Sequence, residues 1–194
     1  MIDQIYVFDD IITKNHQELI KELLFDTHAF SWYIKPDLSG NTNKAVDEKF
    51  TAVPGFANIF YNNLGITNTE LFKYSLPIAQ LAFAKINQPL NRIHFGRTFF
   101  QFPLTTHSGV SNPHVDMEQQ DHIVVLYYAI DADGDTLLLD KTDDGLGRPS
   151  FDNYNIIKRI TPKQGRCVVF NGRIYHTAIL PRLSQRCVIN MNLT

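Results

Sequence analysis

At 194 residues, with 44% hydrophobic and 20% charged residues, the chain is long enough to bury a core without disulfides or structural metals, and its composition excludes a disordered polymer. Eighteen Lys and Arg against twenty Asp and Glu leave a net charge of −2 with no basic cluster, so nucleic-acid binding by phosphate neutralisation is not expected. The sequence has no apolar run of about 18 residues and no basic leader followed by an apolar stretch, which predicts a cytoplasmic protein without membrane association.

The expected organisation is a single domain, 1–194, with a helical and loop-rich buttress over 1–90 and a β-rich core over 91–194. Asn15 with Glu18 three residues on predicts a capping box. Leu19, Ile20, Leu23 and Leu24 then recur at helical spacing to about Phe25. Phe30-Ser31-Trp32-Tyr33 is aromatic-rich and expected either to pack on the helices or to shape a substrate mouth. Residues 34–49 are polar and turn-rich and predict a long exposed loop, a lid or a disordered excursion. A second helical stretch begins near Thr69. Pro77 lacks the N–H that a helix interior needs, so it is expected to open a new helix carrying Ile78, Ala79, Leu81, Ala82 and Phe83, which ends at Asn87 to Pro89.

From Arg92 onward strands are predicted at 92–102, 113–117, 122–130, 135–140, 155–161, 166–170, 173–179 and 185–193, separated by turn residues such as Asp131 to Gly134 and Pro162 to Gly165. About eight short strands behind a helical region suggest a double-sheet jelly roll buttressed by helices. Cys167 and Cys187 sit in apolar strands and are expected to be buried, unpaired small hydrophobes.

His114-Val115-Asp116 is the most informative motif. Side chains two apart on an extended segment point the same way, so His114 and Asp116 can grip one metal while Val115 faces away. His176, within a strand-like run, is the best-placed third ligand. Two imidazoles and one carboxylate suit ferrous iron and leave coordination positions open. A structural zinc site would normally close four ligands, usually with cysteines, and neither cysteine is near this segment. For His16, His28, His94, His107 and His122 a surface or satisfied-core role is expected, with His107 the best of them for touching substrate. Along the last strand Cys187, Ile189, Met191 and Leu193 form an apolar face, opposite Arg186, Val188, Asn190 and Asn192. A guanidinium on that second face could clamp a carboxylate in bidentate fashion, or could simply lie in solvent; Arg182 is the competing basic residue. Arg97 and Gln101 share a strand face and are further candidates for reaching a ligand.

The order H-x-D, then His176, then Arg186 ten residues later resembles the Fe(II)- and 2-oxoglutarate-dependent dioxygenases, and its last spacing is most similar to the prolyl 4-hydroxylase-like branch. Val124-Val125-Leu126-Tyr127-Tyr128 before Gly134-Asp135-Thr136 resembles that branch's apolar strand and Gly-x-Thr turn. The run from Pro162 through Gly165 to Phe170 resembles its segment just upstream of the last histidine. The likeness covers roughly 92–194.

The resemblance implies a double-stranded β-helix of cupin-like type. It implies Fe(II) on His114, Asp116 and His176, which would also be the catalytic residues, with Arg186 and Tyr128 holding the 2-oxoglutarate co-substrate. Dioxygen would be consumed, 2-oxoglutarate would leave as succinate and CO2, and a substrate C–H bond would be hydroxylated. Asp116 speaks against the halogenating branch, where a small residue takes the carboxylate's place. The expected substrate is a protein side chain of prolyl type, or a free amino acid or small metabolite. Oxidative demethylation of alkylated nucleobases and a non-catalytic metal-binding jelly-roll module are the alternatives.

Overall fold

The computed structural model describes residues 2–26, 30–38, 50, 53–103 and 109–194. In chain order these form β1 (Tyr6–Phe8), α1 (Lys14–Phe25), β2 (Tyr33–Lys35), β3 (Gly55–Asn62), β4 (Gly65–Ile66), α2 (Thr69–Lys85), β5 (Ile93–Gln101), β6 (Ile123–Tyr128), β7 (Thr136–Thr142), β8 (Ile156–Ile160), β9 (Cys167–Asn171), β10 (Ile174–Ala178) and β11 (Arg186–Leu193). The large antiparallel sheet runs β1-β9-β6-β11-β5-β3-β2, with β4 attached to β3, and the small one runs β10-β7-β8. This is the jelly roll that the strand count suggested and the double-stranded β-helix that the resemblance implied.

The two-residue period of each strand decides what it packs against. On one side of the large sheet Val125, Tyr127, Cys167, Val169, Cys187, Ile189, Met191 and Leu193 meet Ile20 and Leu24 of α1 and Leu71, Ile78, Ala82 and Phe83 of α2. On the other side Val124, Leu126, Tyr128, Val168, Phe170 and Val188 face Leu138 and Ile160 of the small sheet. Adjacent tyrosines therefore part company, Tyr127 toward the helices and Tyr128 between the sheets. Both cysteines are buried and free.

Four local expectations need correction. The first 90 residues are not only helix and loop: β1 to β4 lie there, and β3 and β2 extend the large sheet beyond β5. The segment hid its strand because both faces carry apolar groups, Phe56 and Phe60 toward the helices and Ala57 and Ile59 away from them, so no amphipathic alternation shows. The cap of α1 is Thr13, whose side chain accepts the His16 N–H at 3.3 Å, and the helix buries Gln17, Ile20 and Leu24. Pro77 lies inside one continuous helix from Thr69 to Lys85. A lost hydrogen bond and ring clash cost about 3 kcal/mol. Burying Leu71 before the proline and Ile78, Ala82 and Phe83 after it outweighs that, at about 1.5–3 kcal/mol for each large apolar side chain. The predicted strand at 113–117 is irregular: it joins β10 only through an isolated bridge of His114 with His176, and a second bridge, Val110 with Ile179, lies just outside both segments.

Of the 34–49 loop, β2 takes the start, and Asp37 and Leu38 are buried. Residues 39–49, together with His28 and His107, lie outside the described residues. Among the described residues, no helix is long and apolar enough to cross a membrane.

Candidate metal centre

His114 and His176 form a directly opposed antiparallel pair. The His114 N–H donates to His176 O at 3.0 Å, and the His176 N–H donates to His114 O at 2.9 Å. That register, set by the edge of the small sheet, brings the two imidazoles to 4.5 Å between ring centres. Asp116 returns to the same side two residues later. Val115 turns the other way, into a cluster with Leu137, Leu139, Phe151 and Tyr175. Asp116 Oδ1 lies 4.0 Å from His114 Nε2 and 3.9 Å from His176 Nε2. One donor atom from each of the three residues falls within 4.8 Å of the others, a grouping that could hold a metal ion.

The protonation states suit that role. His114 Nδ1 lies 3.0 Å from Asn112 O, and His176 Nδ1 lies 3.2 Å from Ile174 O. A carbonyl can only accept, so each Nδ1 carries the proton and each Nε2 keeps its lone pair, the arrangement a metal-ligating histidine uses. Burial, then the neighbouring His176, lowers the His114 pKa to about 4. Burial also lowers that of His176, against the pull of Asp116. Burial alone would raise the Asp116 carboxyl, but the Arg97 guanidinium and the two imidazoles outweigh it and hold the group well below the usual carboxylate range. The centre is thus two neutral imidazoles and one carboxylate.

Asp116 is gripped from the large sheet. Arg97 of β5 donates from Nη2 to Oδ1, and Asn190 of β11 donates from Nδ2 to Oδ2 at 2.9 Å. Asn192 in turn donates to Asn190 Oδ1 at 3.3 Å. Asn190 was visible in the sequence as a polar residue on the Arg186 face. Nothing in the sequence pointed it at Asp116, because the two are joined only by the packing of one sheet on the other.

One cavity is lined by both imidazoles and by Arg186, with Gln101, Ser111, Thr136, Thr177 and Asn190 as its other polar groups and Leu38, Phe99, Leu126 and Val188 among its apolar walls. Arg186 is buried, at 6% exposure, and fixed by three acceptors: Gly134 O at 2.9 Å, Gln101 Oε1 at 2.9 Å and Thr136 Oγ1 at 2.8 Å. Gly134 is required here because a Cβ would meet Ile179 O at 2.8 Å and Arg186 Cδ at 3.1 Å. Tyr128 joins this network through Thr136, its hydroxyl donating to Thr136 Oγ1 at 2.7 Å, and its ring lies 5.8 Å from the Arg186 guanidinium. Arg182 instead belongs to a turn whose backbone N–H groups at 182, 183 and 184 bind Asp133.

The remaining histidines are elsewhere. His16 Nε2 lies 2.9 Å from Tyr74 O, His94 Nε2 lies 3.0 Å from Thr194 Oγ1, and His122 is buried beneath Gly172.

No family model matches the sequence, and no curated protein does. Solved structures do. An oxidoreductase of the 2OG-Fe(II) oxygenase family from Burkholderia pseudomallei superposes with a TM-score of 0.67 over 98% of this chain and 84% of its own, at 10% identity. A prolyl hydroxylase from Trichoplax adhaerens, solved with a hypoxia inducible factor peptide, gives 0.62 over 97% and 82%, at 13% identity. The chain has the fold of the Fe(II)- and 2-oxoglutarate-dependent oxygenases. That fold is not confined to hydroxylases: an α-ketoglutarate-dependent epimerase from nogalamycin biosynthesis gives 0.64 over 98% and 78%, at 13% identity.

Proposed function

We propose that this protein is an Fe(II)- and 2-oxoglutarate-dependent oxygenase that oxidises a substrate C–H bond, with hydroxylation as the outcome. The observation that carries the reading is one cavity walled by both imidazoles and by a buried arginine, with the Asp116 carboxylate grouped with those imidazoles within 4.8 Å. All the described acceptors of that arginine are uncharged, so its charge is left for an anion from outside the chain.

His114, Asp116 and His176 fit Fe(II) by donor type, tautomer and charge, and three ligands leave room for exchangeable ones. When bound, Fe(II) with 2-oxoglutarate and dioxygen supplies an oxidant for an unactivated C–H bond, releasing succinate and CO2. The chain's own work is placement. Arg186, backed by Thr136 and Tyr128, would receive the distal carboxylate of 2-oxoglutarate. Asn190 and Arg97 hold the Asp116 carboxylate in one orientation. Phe99, Leu126 and Val188 keep the cavity apolar, which strengthens every charge interaction inside it. The substrate class is a protein side chain of prolyl type, or a free amino acid or small metabolite.

The test is spectroscopic first. Anaerobic addition of Fe(II) and 2-oxoglutarate is expected to give a weak visible charge-transfer band, and admission of air is expected to yield succinate. Asp116→Ala and His176→Ala should lose both along with bound metal. A protein that binds Fe(II) yet forms neither band nor succinate would instead be a metal-binding jelly-roll module.

A further inference from the structure

We infer that Arg97 reads a carboxylate on the primary substrate. This rests on the oxygenase reading and narrows it to a carboxylate-bearing molecule.

Arg97 is absent from the wall of the cavity that holds Arg186, yet it lines two hollows on the outer side of the centre. One is walled by Lys35, Ala57, Ile59, Phe95 and Phe99 as well as Arg97, and the other brings Arg97 together with His94, Asp116 and Met117. The residue therefore stands between the metal ligands and the approach from outside. Its guanidinium lies between two neighbours on the same face of β5, 5.4 Å from the Phe95 ring and 4.7 Å from the Phe99 ring. Cation–π contact with both rings, together with the bond to Asp116, restricts where its donors can point.

The donors are only partly used. Asp116 takes Nη2, while Nε is buried with no acceptor among the described residues, and 18% of the side chain remains exposed. A guanidinium with spare donors inside an aromatic frame is a poor structural element and a good receptor for a planar anion. The charge balance agrees. Once Asp116 serves as a metal ligand, its negative charge no longer belongs to Arg97 alone, and Lys35 adds a second cation to the same hollow. Asp37 borders that hollow as well, and its carboxylate, which accepts the Val53 N–H at 3.3 Å, offsets part of that charge.

Because Arg97 bonds directly to a ligand of the metal, a carboxylate on its outer edge would stand beside the centre. The C–H bond to be oxidised would then lie only a few bonds from that carboxylate. Free amino acids and other small carboxylic acids meet this condition, and so does an Asp or Glu side chain in a peptide. An internal prolyl residue does not.

The experiment uses the full chain loaded anaerobically with Fe(II) and 2-oxoglutarate, whose visible band reports ligand arrival without turnover. Free α-amino acids and monocarboxylic acids are each titrated beside the corresponding primary amide, and short peptides are titrated with and without Asp or Glu. Binding constants are checked by calorimetry on the Mn(II) form. The expected result is at least one acid that shifts the band and binds about tenfold or more tighter than its amide. Lys35→Glu should weaken that acid but not the amide. Arg97→Gln should erase the difference, and Arg97→Lys should restore part of it. Response to free acids alone identifies a small molecule, and response to acidic peptides alone identifies a protein side chain. Equal binding of acids and amides, no response to any acid, or discrimination that survives Arg97→Gln overturns the inference. A protein that never forms the band overturns the oxygenase reading, and this inference with it.

Discussion

Arg97 and Asn190 are cross-strand partners on β5 and β11, and each donates to a different oxygen of Asp116. A single register choice in the large sheet thus orients the Asp116 carboxylate, which is carried by a segment that pairs with the small sheet. The two sheets are locked to each other at the centre, and the carboxylate has no rotational freedom of its own.

Asn190→Ala tests this coupling. It removes the donor to Oδ2, while Arg97 still engages Oδ1. Loss of such a supporting hydrogen bond typically lowers metal affinity by about 10–100-fold. Calorimetric titration with Mn(II) should show that drop, and urea unfolding should show about 1–3 kcal/mol of lost stability from the buried oxygen left without its partner. Unchanged Mn(II) affinity would mean that Asn190 is packing only.

Arg186→Ala should separate co-substrate from metal. The guanidinium touches neither imidazole nor Asp116 in the described network, so Mn(II) binding alone should persist. Loss of a buried charge-assisted pair costs about 2–5 kcal/mol. 2-Oxoglutarate titrated into the Mn(II) form should therefore bind at least about tenfold more weakly than to the parent protein. If the two titrations coincide, the distal carboxylate belongs to another residue.

What could be read in the sequence followed from short-range geometry. The H-x-D spacing put His114 and Asp116 on one side because of the strand period, and the alternation from Arg186 to Leu193 correctly separated the helix-facing row from the cavity-facing row. The Gln101 contact was half visible, since Gln101 and Arg97 share a face of β5. What could not be read depends on which strands become neighbours. Gln101 meets Arg186 and Arg97 meets Asn190 only because β5 and β11 pair in that register. Pro77 misled for a related reason, because local backbone preference gave way to burial on both sides of it. β3 carries apolar side chains on both faces, so it lacked the pattern by which a half-buried strand announces itself.

Gly96→Ala probes how tightly that same strand is packed. β3 bulges opposite it, with Ile59 facing Arg97 and Tyr61 facing Gly96, so Phe60 is the extra residue. The fully buried Phe60 ring then occupies the space a side chain at 96 would need, with a Cβ meeting Phe60 Cε2 at 2.3 Å. Neither the ring nor the strand can yield without disturbing the helix-facing core. Overpacking of this kind costs about 1–3 kcal/mol. Urea unfolding of Gly96→Ala should show it, and Gly96→Ala combined with Phe60→Leu should recover part of the loss. A single variant as stable as the parent would show that the bulge relaxes freely.

The last prediction concerns acid stability at the far end of the large sheet. Asp9 follows β1 and accepts from Arg166 Nε at 2.7 Å, Arg166 Nη2 at 3.1 Å and Lys163 Nζ at 3.1 Å, tying β1 to the turn before β9. The Arg166 hydrogen bond first, and Lys163 after it, lower the Asp9 pKa from 3.8 to about 2, against the opposing effect of burial. A carboxyl whose folded pKa is depressed stabilises the fold fully above its unfolded value and loses that contribution as pH falls through the folded one. The window is therefore pH 4 down to 2. With the Asp9 side chain 40% exposed, solvent screening limits the contribution to no more than about 1 kcal/mol. Asp9→Asn should be less stable than the parent by that amount at pH 7 in urea unfolding, with the difference constant down to about pH 5 and closing toward pH 2. Raising the salt concentration at pH 7 should narrow it as well. Parallel stability curves across the whole range would show that the β1 tie does not depend on the Asp9 charge.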